Sequence, residues 1–348
     1  MPTISDVFNG DAFGRISMTQ NINNIPYQPS RIESLGIFAG DGDGAGAGIE
    51  TQQLAVVNVD QELQLISDSA LATFPNFQQT DPADIRYITV PHLPLMDTIL
   101  AHELPGLPAF GQVGTSMTDS QMSQSVQEAV TKKQAKMVSN HRLTWEWMRL
   151  GSIKGILLDS NGTDTIYNWF TEFDITQKTV TWTEATAGDI NRVCDEINRH
   201  TADVLGQDSA SGIHCMVGSD VMTALTNSAD LQPGFLRYPS GAPGELYRTN
   251  YVYGQLMYKG ITFEEYRGSI GGNPYIAATK GYSFPLGTNA FIRRNAPGDL
   301  SEAVGRPGLP MYSAREEKRF GTGWDILSSS NPIFMCQRPG VLIELTLA

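Results

Sequence analysis

Apolar and polar positions alternate with a period of two at the very end of the chain. From Gly340 to Ala348 it reads GVLIELTLA, with Val341, Ile343, Leu345 and Leu347 on one face, the spacing of a strand buried on one side. A chain end frays unless something holds it, so this pattern predicts a terminus that completes a sheet. Upstream, Trp324 to Leu327 and Pro332 to Cys336 supply further strand-like apolar runs. In the middle of the chain the period changes. Met122, Val126, Ala129, Val130, Met137, Trp145 and Met148 recur at steps of three and four, the stripe of an amphipathic helix. Thr118 and Gln121 offer a capping box and Gly151 a C-cap. The pattern therefore predicts one helix of about 30 residues, roughly 45 Å long. Lys132, Lys133, Lys136, Arg142 and Arg149 fall on its polar face, which is expected to be basic.

Shorter patterns surround this helix. Leu54 to Val59, Leu63 to Ile66 and Ile85 to Val90 are rich in β-favouring residues and predict a long two-stranded excursion over 49–90. Pro91, Pro94, Pro105 and Pro108 exclude regular helix on its exit. Ile156 to Asp159 and Thr165 to Phe170 flank Asn161-Gly162, a hairpin signal, and Thr179 to Thr183 predicts a strand. A second helix is expected from Asp189 to Leu205, burying Ile190, Val193, Cys194, Ile197, Thr201 and Leu205. Ile213 to Val217 predicts a strand, Gly218 a turn, and Ser219 the N-cap of a helix over Val221 to Leu225. Further strands are expected near Ile261 to Tyr266, Tyr275 to Thr279 and Ala290 to Arg293. Together these make an α/β unit over 188–310, with a second unit built from 91–187 and 311–348. Residues 1–33 are polar and aperiodic, the pattern of an extended arm. Gly40 to Gly48, with five glycines and the acids Asp41 and Asp43, is expected to be a mobile loop.

Composition narrows the chemistry. The 348 residues carry a formal charge of −13 and no run of four basic residues, which argues against a protein that grips phosphate backbones. Cys194, Cys215 and Cys336 are widely spaced with no CxxC, so neither a disulfide framework nor a thiolate zinc site is indicated. No segment has the apolar length of a signal peptide or a membrane span, so a soluble cytoplasmic product is expected. Counted as a calcium loop from Asp41, position five is Ala45 and position twelve Gln52, where carboxylates are needed. GxGxxG with its helix, GxxxxGK[ST] and GxSxG are absent, and Gly268 to Gly272 lacks the last spacing. His92, His102, His141, His200 and His214 show no metal-binding spacing. His214 next to Cys215 is the best nucleophile pair, but strand neighbours point to opposite faces. Asn161-Gly162-Thr163 is a glycosylation sequon whose simpler role is a turn. No catalytic, cofactor or metal site is therefore assigned. Arg315, Glu316, Glu317, Lys318 and Arg319 alternate in sign; they form either a solvated face or a register-setting contact with another subunit.

In order and spacing, these segments resemble the lambda-like major capsid proteins of tailed bacteriophages, the phage major capsid protein E family. The similarity runs from about Leu35 to the end and is clearest over Met216 to Ser228 (MVGSDVMTALTNS) and over Met311 to Ala348, with Trp324, the Ser328 to Pro332 turn and VLIELTLA. GDGDGAGAG is a departure from the family pattern. The resemblance implies an α+β fold of the Hong Kong 97 type. Its parts would be an amino-terminal arm and Gly-rich loop (1–48), an extended β-hairpin loop (49–90), a spine helix with a peripheral sheet (91–187 and 311–348) and an α/β axial domain (188–310). It implies a virion protein that forms hexamers and pentamers of itself around double-stranded DNA without reading its sequence, with no membrane. Assembly would take place in the host bacterial cytoplasm, with a separate scaffolding protein, a portal and, in some cases, a decoration protein. The interface residues it implies are Arg315, Glu316, Glu317, Lys318 and Arg319, with Arg237, Tyr238 and Glu245 in the ring-centre loop 231–247. An encapsulin-like compartment and a cytoplasmic hydrolase with an unrecognised triad are the alternatives.

Overall fold

The computed structural model describes residues 13–25, 30–38, 48–58, 84–100, 119–159, 161–184, 186, 188–206, 208–228, 230–231, 255–270 and 273–348. The Leu63 to Ile66 strand, the Gly40 to Ala47 loop, the Thr118 cap and the loop 232–247 lie outside them.

The amino-terminal segment is helical where an extended arm was expected. Arg15–Asn24 forms α1, which buries Met18, Thr19 and Ile22, and Arg31–Ser34 forms the single turn α2. A hydrophobic period does not show α1 because polar side chains dock it. Thr19 Oγ1 donates to the Ser313 carbonyl (3.2 Å) and accepts from the Ser313 amide (3.1 Å), Asn21 Nδ2 donates to Gln134 Oε1 (2.6 Å), and Asn23 Nδ2 donates to the Met311 carbonyl (3.0 Å). Beyond α2, Phe38 packs edge-on against Phe291 and Phe334, both at 5.4 Å. Residues 48–49 are then gripped between two backbones. Ile49 donates to the Asn295 carbonyl and accepts from the Gly308 amide, both at 2.9 Å, and a Cβ on Gly48 would lie 2.5 Å from the Gly308 carbonyl oxygen.

Strands β1 (Gln53–Asn58) and β2 (Asp84–Thr89) pair antiparallel from Gln53 opposite Thr89 to Asn58 opposite Asp84, the base of the expected excursion. The proline-rich exit forms an unexpected strand, β3 (Leu93–Leu100). Pro94 is tolerated because β3 is a sheet edge. Helix α3 (Asp119–Lys154) runs 36 residues, about 54 Å. It does not stop at Gly151, which is buried in the helix against the Ile156 and Leu157 backbone. The stop is Gly155, at φ +81°, where a Cβ would run into the Phe170 ring. Val126, Val130, Met137, Trp145 and Met148 are buried as expected, but Arg149, placed on the basic face by its spacing, is buried too.

The hairpin β4 (Ile156–Leu158) and β5 (Thr165–Asn168) forms around Asn161, whose Oδ1 accepts from the Thr163 and Asp164 amides, both at 3.0 Å. Asn168 then caps α4 (Trp169–Glu172), ending β5 before Phe170. Next come β6 (Lys178–Trp182), α5 (Asp189–Leu205), β7 (Gly212–Val217) and α6 (Ser219–Asn227). The buried face of α5 is the one its spacing predicts. In α6, Gly218 is the N-cap and Ser219 the first helical residue. The remaining strands are β8 (Gln255–Tyr258), β9 (Ile261–Glu265), β10 (Ser269–Ile270), β11 (Asn273–Pro274), β12 (Lys280–Leu286), β13 (Phe291–Asn295), β14 (Tyr312–Glu317), β15 (Gly323–Ser330), β16 (Pro332–Cys336) and β17 (Ile343–Leu347). Tyr275 to Thr279 is a turn, not the expected strand; the strand begins at Lys280. Gly281 and Pro285 conceal β12 in the sequence. Pro285 is accommodated because β17 pairs with β12 only from Lys280 to Ser283, so on that side nothing needs its missing N–H, while on the other side it lies opposite Ile213 of β7.

A six-stranded sheet has the order β6-β17-β12-β7-β9-β8, and a three-stranded sheet the order β14-β15-β3. The larger sheet crosses the boundaries expected at 188 and 310. Strand β6, from before 188, and β17, from after 310, both belong to it, while β13 pairs outside it with β16. The closing segment joins two cores. Ile343 and Leu345 pack with Val193, Ile197 and Phe263, and Val341 and Leu342 belong to the cluster of Trp145, Met148 and Phe334.

Candidate subunit-contact surfaces

Helix α3 meets the three-stranded sheet through a buried polar seam. Gln134 Nε2 donates to Ser313 Oγ (3.1 Å), and the Trp145 indole N–H donates to Ser330 Oγ (3.2 Å). The His141 imidazole lies between Ser328 Oγ (2.9 Å) and Ser330 Oγ (3.0 Å). Burial pushes the His141 pKa down to about 4, so the ring is neutral here and can both donate and accept. Since the unfolded chain takes up this proton near pH 6.5 and the folded chain only near 4, stability should fall as the pH drops through that window. The loss expected by pH 4 is about 3 kcal/mol. Urea unfolding of unassembled subunits between pH 7 and 4 checks this; His141→Gln should flatten that part of the profile.

A second buried network ties the segment at α2 to α3 and the six-stranded sheet. Glu146 on α3 accepts from the Ile32 amide (2.9 Å), Ser30 Oγ (2.5 Å) and Tyr266 Oη (2.8 Å), with Arg149 3.6 Å away. Glu33 pairs with Arg142 (3.1 Å) and Arg149 (3.4 Å). Arg31 makes a two-pronged contact with Glu264 on β9, both bonds 2.5 Å, and Gln255 Nε2 also donates to Glu264 (2.7 Å). Burial would raise the Glu264 pKa, but the bonds from Arg31 and Gln255 and the nearby His214 ring outweigh it and hold it at about 2. Sequence spacing missed Arg31, Glu33 and Glu264, because Arg31 and Glu33 find their charged partners more than a hundred residues along the chain.

The groups considered for catalysis are placed for packing. Burial pushes the Cys194 and Cys336 thiols up to about 12 and Cys215 higher still, which disfavours the thiolate that nucleophilic attack needs. His214 Nε2 lies 3.2 Å from Glu264 Oε2, buried beside that carboxylate and against the Phe284 ring. Lys154, at the end of α3, donates to the Tyr275 carbonyl and sits over the Trp147 and Tyr282 rings at 5.8 and 5.6 Å. Its pKa is lowered to about 8, first by burial and then by Lys280. Among the described residues no group of three or more His, Cys, Asp or Glu is placed to hold a metal, and no helix is long and apolar enough to cross a membrane.

The charged run lies at the end of β14 and in the turn that follows. Arg315 Nε donates to the Phe13 carbonyl (2.8 Å) and Lys318 Nζ is 3.3 Å from Asp325. Glu316, Glu317 and Arg319 are exposed. The hairpin thus gathers all five residues at one edge. Arg237, Tyr238 and Glu245 lie outside the described residues. Two exposed apolar features escaped sequence reasoning: Ile85 and Tyr87 on one face of β2, and Phe320 at the β14–β15 tip. An apolar residue in a turn gives no periodic signal.

No curated protein sequence matches the chain. Similar solved structures include a prophage protein of E. coli CFT073 assigned as a capsid protein. It has a TM-score of 0.55 and 10% identity, covering 96% of this chain and 99% of that one. The capsid of Myoviridae phage XM1 (TM-score 0.47, 12% identity, 93% and 95% covered) and the procapsid of satellite phage P4 (0.46, 9%, 93% and 93%) are further neighbours. The prophage likeness bears out the Hong Kong 97 type fold expected from element order. A family model described as phage major capsid protein E matches residues 16–347. With that match spanning almost its full length, the chain belongs to the phage major capsid protein E family, the structural proteins that build the phage head rather than a family of enzymes.

Proposed function

We propose that copies of this chain form rings of six and five that close into an icosahedral shell around double-stranded DNA. The observation that carries this reading is the family match over residues 16–347. The net charge of −13 supports it, because a lining that gripped phosphates would oppose packing and release of DNA. Ile85 and Tyr87, 50% and 69% exposed on one face of β2, suit a ribbon at 49–90 that lies on a neighbouring subunit. Of the charged hairpin, Glu316 and Arg319 are the groups best placed to pair across subunits, beside Arg315, Glu317 and Lys318. In this reading the loop carrying Arg237, Tyr238 and Glu245 faces the centre of each ring. A separate scaffolding protein directs closure in the host bacterial cytoplasm, and a portal completes the head.

Electron microscopy of the purified chain, expressed alone and with its scaffolding protein, tests the reading. Uniform shells, or rings of five and six, are expected. A persistent monomer under both conditions would overturn it, and correctly sized shells from the chain alone would remove the need for a scaffold.

A further inference from the structure

The tip of the β14–β15 hairpin presents an aromatic ring to solvent on a backbone that resists it. Phe320 is 97% exposed and sits at φ +68°, in the left-handed region that a bulky side chain seldom adopts. Glycine would suit this turn on both counts, yet the position holds one of the largest apolar side chains.

The mounting is rigid. The Lys318 amide donates to the Gly323 carbonyl (2.9 Å), and Thr322 Oγ1 donates to the Arg319 carbonyl (3.3 Å), closing the turn. Below it, Trp324 is buried with Val126 and Val130 of α3, Arg315 is tied to the Phe13 carbonyl, and Lys318 is paired with Asp325. Gly323 fits so tightly against β3 that a Cβ would strike the Ile99 carbonyl. A turn tied down in this way gives up little backbone freedom when the ring it carries is covered.

We propose that Phe320 is an anchor that inserts into the surface of a second copy of this chain, with Arg319 pairing to a carboxylate at the rim. The inference rests on the shell reading, since a chain of a shell-building family meets other copies of itself. Charge favours the same partner: Arg319 is exposed at the tip, while the chain as a whole has a net charge of −13, so a second copy offers carboxylates to that guanidinium. Phenylalanine and arginine are both enriched at protein interfaces relative to the rest of the surface.

Phe320→Gly removes the ring and relieves the backbone. Unassembled subunits should melt no lower than the parent, while the protein concentration needed for assembly should rise about ten-fold or more. Phe320→Tyr should assemble close to the parent. A second measurement uses the burial of Cys194, Cys215 and Cys336: the thiol introduced by Phe320→Cys should react quickly with a maleimide in free subunits and slowly in shells. Parental assembly by Phe320→Gly, or equal labelling in both states, would overturn the anchor and leave the shell reading standing. Protection that appears only when DNA is added would also overturn it, in favour of a nucleic-acid contact. Failure of the parent chain to form any closed particle would remove the shell reading and the anchor together.

Discussion

Glu146→Ala is expected to lower the unfolding free energy of the unassembled subunit by about 3–5 kcal/mol. The carboxylate serves three donors, the Ile32 amide, Ser30 Oγ and Tyr266 Oη, and stands 3.6 Å from Arg149. Truncation leaves these buried and half-buried donors without their acceptor, and it weakens the compensation of Arg149, which is fully buried. Breaking one side of such a network costs more than the network contributes as a whole, because the remaining charge keeps its desolvation penalty. The double replacement Glu146→Leu with Arg149→Met should therefore recover part of the loss. Urea midpoints of the parent, both single variants and the double variant measure the coupling. Limited proteolysis adds a local readout, since cleavage near residues 30–38 should accelerate most in Glu146→Ala. Equal stability of Glu146→Ala and the parent would show that α2 is not held by this carboxylate.

Trp145→Ala should cost a similar amount, about 3–5 kcal/mol, through loss of buried area and the cavity left behind. The indole has no exposed surface. The guanidinium groups of Arg142 and Arg293 both lie 4.5 Å from its ring, so truncation also strips a cation–π partner from each. Trp145→Phe separates the contributions. It retains most of the apolar volume and loses the N–H bond to Ser330, whose hydroxyl keeps His141 as a partner, and should cost about 1–2 kcal/mol. Thermal unfolding of both variants in unassembled form distinguishes the two; equal losses would mean that the hydrogen bond, not the packing, dominates.

How far the fold could be read along the chain depended on what each element packs against. Helix α5 was legible to the residue because it lies on the sheet with one continuous apolar stripe, Ile190 to Leu205. The β4–β5 hairpin was legible because Asn161 and Gly162 encode their turn locally. Helix α1 was not, since it docks through Thr19, Asn21 and Asn23, whose partners lie at Gln134, Met311 and Ser313. The end of α3 was misplaced for a related reason. Gly151 and Gly155 are equivalent stops by composition, and only the crossing of Phe170 over Gly155, together with its positive φ, chooses between them. Of the interface candidates, the five charged residues of 315–319 were visible as a run. The exposure of Phe320 beside them depended on where the turn fell.

By itself the sequence determined the class of the molecule: an acidic chain without catalytic motifs, with a long amphipathic helix, an α/β core and a closing strand, in the order of a phage capsid subunit. Each of these follows from periodicity, charge or local turn chemistry, which act over a few residues. Only the tertiary structure decided that β6 and β17 enter the six-stranded sheet from opposite sides of the expected domain boundaries, that Arg149 is buried, and that residues 30–38 clamp α3 to β9. Those outcomes depend on strand pairing and on matching donors to acceptors between segments more than a hundred residues apart. Long-range partners of this kind leave no local period, so they become visible only when the chain is folded.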